Sequence, residues 1–168
     1  MGSGYFNVQK KEVLVMESET KEFVQLVRLY AVKEKELPYG KKELNDSAKV
    51  VELSRQILKN QDREYILAIA MDARTKPVAV EVVAIGTVNQ AVIEPRDLFK
   101  YAIISNAAGV VMVHNHPSGN PSPSEEDYKI TAKINDAGRL LGIPLLDHII
   151  VGDDSYFSFK ENKDKENE

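Results

Sequence analysis

The sequence predicts an α/β fold in which a mixed β-sheet is flanked by helices. Apolar runs rich in Val, Ile and Ala, which are typical of buried strands, occur at residues 64–71, 78–87 and 110–113. Segments with apolar residues at helical spacing alternate with these runs, for example between residues 94 and 106. Strands that alternate with helices form layered α/β structures, because each helix covers one face of the sheet.

The first 43 residues are expected to form an N-terminal accessory segment that consists of a strand and a helix. Val13–Met16 is a short apolar run that predicts a strand. Thr20 is a suitable N-cap for a helix that continues to about Lys35, and a loop is expected at residues 37–40. The character of the sequence changes near residue 44, so we expect the main domain to occupy residues 44–160.

A helix and a hairpin open this main domain. The helix is predicted to begin at Asp46 or Ser47 and to end near Asn60, since the apolar residues between them form a single stripe. The first two apolar runs then follow as strands. The turn between them, at residues 72–77, suits an antiparallel hairpin.

The remaining elements are predicted from the same signals. Pro95 suits the first turn of a helix, where its missing N–H costs no hydrogen bond. The last residues, 161–168, are almost all charged and are expected to form a disordered tail. In chain order we predict a helix from Glu94 to about Asn106, a strand at residues 110–113, a helix from Ser124 to about Leu141, and strands at Pro144–Val151 and Ser155–Phe159.

The composition is that of a folded domain and restricts the kinds of active site. The chain has 168 residues, of which 43% are hydrophobic and 29% charged, and this length fits about one domain. It contains no Cys, which excludes a disulfide scaffold, a thiolate nucleophile and Cys-ligated zinc. A bound metal would therefore take His, Asp, Glu or water as ligands. The positions of the 3 His are correspondingly informative.

The charge balance disfavours nucleic acid as a partner. The sequence carries 22 Lys and Arg against 26 Asp and Glu, a net charge of −4. Proteins that bind the phosphate backbone usually carry a basic surplus, because neutralised phosphates supply most of the non-specific affinity. The sequence also shows no signal peptide and no apolar run long enough to span a membrane, so we expect a cytoplasmic protein without membrane association.

Two of the three histidines lie two residues apart at the end of an apolar strand. The two-residue period of a strand places the side chains of His114 and His116 on the same side. A loop with three prolines then leads to Ser124 and Asp127. Two imidazoles and one carboxylate form a ligand set for a catalytic zinc ion, which keeps its fourth position for water. Water bound to zinc ionises at about pH 7 and becomes a nucleophile.

The same residues also have structural interpretations. Ser124 followed three residues later by Asp127 fits a helix capping box. A single His near a strand end is more often a structural or surface residue than a ligand. The conjunction of His114, His116, Ser124 and Asp127 around one Pro-rich loop favours a metal site, and a capping Ser can still direct its hydroxyl into that site.

The spacing His114-x-His116-x7-Ser124-x2-Asp127 is that of the JAMM motif of the MPN/JAB metalloproteases. The full string from the first of these residues to the last, HNHPSGNPSPSEED, resembles the RadC family of bacterial JAB-domain proteins.

The resemblance extends beyond the motif and covers about residues 44–160. It includes Pro95-Arg96 before the motif, Leu141-Gly-Ile after the following helix, and the string from Asp147 to Gly152, DHIIVG. It implies the three-layer JAB/MPN fold, which is similar to that of the cytidine deaminases, with a mixed sheet between flanking helices.

The resemblance also implies roles for individual residues. His114, His116 and Asp127 would be the zinc ligands. Ser124 would donate a hydrogen bond to the oxyanion or to the zinc-bound water. JAMM enzymes use an upstream Glu as general acid and base, and Glu64, at the start of the first hairpin strand, is the matching candidate.

Four further residues keep more than one interpretation. Glu81, within the second hairpin strand, is the rival general base, although an acid at that position fits a solvent-facing strand edge better. Asp147 and His148 interrupt an apolar strand, and His148 could bond a structural group, orient a ligand or contact substrate. Arg96 could bind substrate or pair with a nearby acid.

The function that this sequence predicts is zinc-dependent hydrolysis of a peptide or isopeptide bond in a peptide or protein conjugate. One alternative is a JAB-fold module that binds protein partners without catalysis. The other is a DNA-repair accessory role, which the family's label suggests and the acidic charge balance disfavours.

Overall fold

The computed structural model describes residues 24–40, 43–86 and 93–166, and the structural statements below concern these residues. Within them the chain forms four helices and five strands. In chain order these are α1 (Ser47–Leu58), β1 (Tyr65–Met71), β2 (Pro77–Ile85), α2 (Pro95–Ile104), β3 (Gly109–Asn115), α3 (Glu125–Leu141), β4 (Leu145–Val151), β5 (Tyr156–Ser158) and α4 (Phe159–Glu166).

The five strands form one mixed sheet in the order β2-β1-β3-β4-β5. β1 pairs antiparallel with both β2 and β3, and β4 pairs antiparallel with β5. The central pair, β3 and β4, is parallel, so α3 forms the crossover that a parallel connection requires. The predicted α/β class and the mixed sheet are confirmed.

Helices cover both faces of the sheet and give it a three-layer structure. On one face α1 packs Val50 and Leu53 into a core with the buried side chains of β1, β3 and β4, such as Leu67. On the other face α2 and α3 pack Phe99 and Ile134 against the alternate side chains of the same strands. Because successive strand residues face opposite sides, one apolar strand supplies both cores.

Local signals in the sequence explain where the helices begin and end. The carboxylate of Asp46 accepts a hydrogen bond of 2.8 Å from the backbone N–H of Ala48, which caps α1. Pro95 begins α2, as predicted. Gly142, with φ of 70°, ends α3 in the left-handed conformation that glycine adopts without strain.

The predicted helix from Thr20 to Lys35 is wrong over the residues that are described. Residues 24–35 form no helix, and their large apolar side chains are exposed. In a helix, Val24, Leu26 and Val32 would lie on other sides than Val27 and Tyr30, so the helix would have no single apolar face to bury. An unpacked helix of this length is marginal. The strand predicted at Val13–Met16 lies outside the described residues.

The predicted disorder of the C-terminal residues is also wrong as far as residue 166, because α4 occupies Phe159–Glu166. The anchors of this helix lie at its start and in the neighbouring strand. Phe159 is buried, the hydroxyl of Ser158 accepts a hydrogen bond from the N–H of Glu161, and the carboxylate of Asp147 accepts one from the N–H of Lys160. The charged composition alone does not reveal these contacts.

Candidate metal centre

The register of two central strands brings Glu64 to the predicted histidines. Ile66 of β1 lies opposite His114 of β3. Continued by two residues, this antiparallel register places Glu64 opposite His116. Alternate residues of a strand share a face, so all three polar side chains lie on one face of the sheet.

The Pro-rich loop after β3 is held against the end of β4. The backbone N–H of His116 donates to the carbonyl of Val151 over 3.1 Å, and that of Asp153 donates to Gly119 over 3.1 Å. Gly119 has φ of 77°, and a Cβ there would lie 2.3 Å from the carboxylate of Asp153. The positive φ therefore favours glycine, and a Cβ would also force the exposed Asp153 side chain to turn away. These hydrogen bonds hold the loop that leads to α3 against the end of β4 and the residues after it.

Three side chains converge at this place. Nε2 of His114 lies 3.0 Å from Nε2 of His116 and 3.2 Å from Oδ1 of Asp127. His116 Nε2 lies 3.6 Å from the other oxygen of the same carboxylate. All candidate ligand atoms lie within 4.8 Å of one another. The sequence-predicted ligand set is therefore brought together in space.

The chemistry of these donors fits a zinc ion. Two imidazole nitrogens that face each other and a carboxylate form a tetrahedral zinc ligand set with one position open. Nδ1 of His116 lies 2.8 Å from the carbonyl oxygen of Asn120, which can only accept, so Nδ1 donates, and in the neutral imidazole that binds a metal Nε2 carries the lone pair. Hydrogen bonds of this kind orient metal-binding histidines.

The electrostatics of the group favour an ionised carboxylate. Burial alone would raise the pKa of Asp127, but hydrogen bonds from His114 and His116 outweigh it and hold the pKa well below its usual range. The same contact with Asp127 raises the pKa of His116, against the opposing effect of burial. The carboxylate is therefore charged and ready to bind a cation.

Ser124 forms the capping box that the sequence predicts, and it also holds the carboxylate of the cluster. Its hydroxyl accepts from the N–H of Asp127 over 3.2 Å and donates to Oδ2 of Asp127 over 2.7 Å. The backbone N–H of Ser124 donates to the same oxygen over 2.7 Å. These bonds direct Oδ1 of Asp127 toward His114.

The two candidate general bases lie in different surroundings. Glu64 is 13% exposed, and its carboxylate lies 3.8 Å from Nε2 of His114. Glu81 lies on the edge strand β2 with Glu34 and Lys100 as charged neighbours, and its pKa is raised first by burial and then by Glu34. The structure thus brings Glu64, and not Glu81, to the cluster.

The cluster lies in a cleft of about 690 Å³ that includes Glu64 and Ser124. Apolar side chains from the sheet and from α3, such as Ile66 and Ile130, line the same cleft. A family model described as "RadC-like JAB domain" matches residues 44–164. The chain belongs to the RadC-like JAB domain family.

Curated relatives match more than half of this chain. The chain is 41% identical over 121 residues to a UPF0758 protein of Methanosarcina mazei, which covers 72% of this chain and 53% of the relative. It is 47% identical over 103 residues to one of Desulforamulus reducens, covering 61% and 45% of the two chains. The match to a Thermotoga maritima relative is 40% over 127 residues, covering 76% and 57%. The chain thus spans about half the length of these relatives.

Asn115, between the two histidines of this RadC-like domain, is a site residue that sequence reasoning missed. Its side-chain oxygen accepts from the N–H of Tyr65 over 2.8 Å, and its amide donates to the carbonyl of Arg63 over 3.0 Å. It is 7% exposed. The signal in the sequence was a polar residue at a buried strand position, but its partners lie about 50 residues away.

Asp147 and His148 face opposite sides of β4, and only His148 lies at the cluster. The carboxylate of Asp147 accepts hydrogen bonds from Ser47 and Ser158, so it joins α1 to the C-terminal elements. His148 is fully buried, with Nε2 at 2.8 Å from Nδ1 of His114. Burial, and next the charge of His114, lower the pKa of His148 well below its usual value. Arg96 is exposed in the first turn of α2.

No helix in the described ranges of this RadC-like domain is both long enough and apolar enough to cross a membrane.

Proposed function

We propose that this protein is a zinc-dependent hydrolase of the JAMM type that cleaves an amide bond, in a peptide or in an isopeptide conjugate. The observation that carries the proposal is the convergence of His114, His116 and Asp127 beside Glu64 in one cleft. Membership of the RadC-like JAB domain family supports it.

In this proposal the residues of the cluster have different roles in metal binding and proton transfer. The two histidines and Asp127 would hold the zinc ion, which when bound supplies Lewis acidity toward a carbonyl and lowers the pKa of water to about 7. Glu64 would accept a proton as the oxygen of a water molecule forms its bond to the carbonyl carbon. It would then pass that proton to the amide nitrogen as the C–N bond breaks, so the products are an amine and a carboxylic acid.

Ser124 has two roles in the proposal. It holds Asp127 through its hydroxyl in the present structure. Its hydroxyl has only one proton, so stabilisation of the oxyanion requires the hydroxyl to turn from the carboxylate toward the substrate. The apolar side chains of the cleft, such as Ile66 and Ile130, would exclude water around the reacting amide.

The first test is a metal analysis of protein prepared without a polyhistidine tag. We expect about one zinc per chain, or an increase in Tm when zinc is added to metal-free protein. The absence of both results would contradict the proposal.

The second test compares two acids of the same sheet. Glu64→Gln should retain zinc and lose hydrolysis of a peptide and isopeptide library, whereas Glu81→Gln should retain both. Full activity of Glu64→Gln would move the general base elsewhere. A library screen in which the zinc-loaded protein binds conjugates but cleaves none would favour the non-catalytic binding module.

A further inference from the structure

A chain of three hydrogen bonds runs behind the cluster from one candidate ligand to another. Nδ1 of His114 lies 2.8 Å from Nε2 of His148. Nδ1 of His148 lies 2.6 Å from the hydroxyl of Thr131, and this hydroxyl donates to the backbone carbonyl of Asp127 over 2.5 Å. These three hydrogen bonds join β3, β4 and α3, and the residues at both ends belong to the cluster.

The direction of each bond in this chain follows from counting protons. The carbonyl of Asp127 can only accept, so the single hydroxyl proton of Thr131 is used in that bond. The hydroxyl oxygen must then accept from Nδ1 of His148. A fully buried imidazole without a carboxylate partner is neutral and carries one proton, so Nε2 of His148 accepts.

His114 lies at the other end of these hydrogen bonds. Because Nε2 of His148 accepts, Nδ1 of His114 must donate. Nε2 of His114 is then the nitrogen with the lone pair for a metal, and this atom faces His116 and Asp127. His116 reaches the same state more directly, since its Nδ1 bonds a carbonyl that can only accept.

The Thr131 hydroxyl determines the direction of these hydrogen bonds, because two imidazoles alone can form a hydrogen bond in either direction. His148 could donate to His114 from Nε2 as well as accept there. We propose that Thr131 and His148 are positioning residues, which together fix the proton of His114 on Nδ1 and so present Nε2 to the metal. The effect on metal binding rests on the proposed function, with its zinc site. The predicted proton positions do not depend on that proposal.

Packing around His148 holds this arrangement in place. The ring stacks on Phe159 with centroids 4.7 Å apart and planes 2° from parallel. Thr131 lies four residues after Asp127 on α3, the spacing at which a Thr hydroxyl reaches the backbone carbonyl of the preceding turn.

The decisive experiment locates the ring protons by ¹⁵N NMR in metal-free protein. We expect His148 to carry its proton on Nδ1 and not on Nε2, and His114 to be protonated on Nδ1. The second expectation holds whether or not Nε2 of His114 is also protonated toward Asp127. A spectrum with His148 protonated on Nε2 would overturn the proposal, even if the protein binds no zinc at all.

Variants of Thr131 test the cause. Thr131→Val keeps the shape but removes the acceptor, so we expect the proton of His148 to move to Nε2 and zinc affinity to fall roughly 10–100-fold. Thr131→Ser keeps the hydroxyl and should restore both readings. His116 is an internal control, because its Nδ1 proton should stay in place in every variant.

Zinc affinity is measured by competition with a chromophoric chelator, and Co²⁺ substitution reports the ligand geometry. Unchanged His148 protonation and unchanged zinc affinity in Thr131→Val would contradict the proposal. A change in His116 that accompanies the change in His114 would also contradict it, because it would indicate a general disturbance of the site.

Discussion

Asn115 holds the main chain on both sides of Glu64. Its amide oxygen and amide nitrogen bond the residues immediately after and before Glu64, Tyr65 and Arg63. His114 in β3 and His116 directly after it belong to the cluster, while Asn115 between them faces the opposite side, as strand alternation requires. The end of β3 thus supplies two of the three candidate ligands and also positions the candidate general base.

Asn115→Ala should therefore uncouple catalysis from metal binding. Loss of two buried hydrogen bonds is expected to lower the free energy of unfolding by about 1–3 kcal/mol. Displacement of Glu64 should reduce kcat by roughly 100-fold with little change in KM or zinc content. Ser54→Ala, which removes a buried hydroxyl bonded to Val50 within α1, is the matched control and should keep kcat. A parallel loss of zinc and kcat in Asn115→Ala would argue against the positioning of Glu64.

Ser124→Ala should lose both stability and activity. The helix cap it provides is worth about 1 kcal/mol, and loss of one oxyanion donor typically lowers kcat about 100-fold or more. Asp46→Ala removes a comparable cap from α1, at the N–H of Ala48, and should lower Tm without a change in kcat. Thermal unfolding and steady-state kinetics of both variants make the comparison. If Ser124→Ala loses only Tm, the hydroxyl is a cap and no more.

Gly119→Ala should displace the loop that carries His116. The substitution combines a left-handed backbone with a Cβ placed 2.3 Å from the carboxylate of Asp153. Such strain costs about 1–3 kcal/mol, and we expect weaker zinc binding as well. Gly142→Ala, at φ of 70° but with no atom within 4 Å of the new Cβ, isolates the backbone effect. Zinc titrations should show equal affinity for Gly142→Ala and wild type, and reduced affinity only for Gly119→Ala.

Asp147 should make stability depend on pH in a definite direction. Burial, the largest influence, raises its pKa above the ordinary value despite hydrogen bonds from Ser158 and Lys160. An acid with a raised folded-state pKa favours folding most when protonated, so its contribution falls as pH rises from the unfolded-state pKa to the folded-state pKa. Each pKa unit between the unfolded and the folded state changes the free energy of unfolding by about 1.4 kcal/mol.

Urea unfolding of wild type and Asp147→Asn between about pH 3 and pH 7 measures this contribution. Asn cannot titrate, so wild type should lose stability relative to the variant as pH rises through this range. A constant difference between the two proteins would show that Asp147 titrates alike in the folded and unfolded states.

The parts of this fold that could be predicted are those that local patterns determine. Apolar runs located the strands, and the spacing from His114 to Asp127 predicted a cluster that the structure brings together. The predicted helix ending near Lys35 failed because a helical spacing of a few residues does not guarantee an apolar face. Helix α4 was missed because its anchor, Phe159, precedes the charged segment that suggested disorder.

The supporting contacts of the cluster could not be predicted for a different reason. Thr131 and His148 meet because β4 returns parallel to β3 after α3, and no pattern within either element indicates the other. Asn115 likewise depends on the register between β1 and β3. Such partners become visible only when the pairing of strands is known, whereas the ligands themselves follow one another in the chain.

The crossover from β3 through α3 to β4 contains all the candidate metal ligands, so the proposed hydrolysis could be gained or lost separately from metal binding. The candidate ligands and the hydrogen bonds behind them all belong to residues 114–148, whereas Glu64 lies directly before β1. In the proposed function, metal binding and proton transfer thus depend on different segments of the sequence. A related protein could keep the metal-binding residues as a structural or sensory element after mutation of Glu64 has removed the proposed hydrolysis.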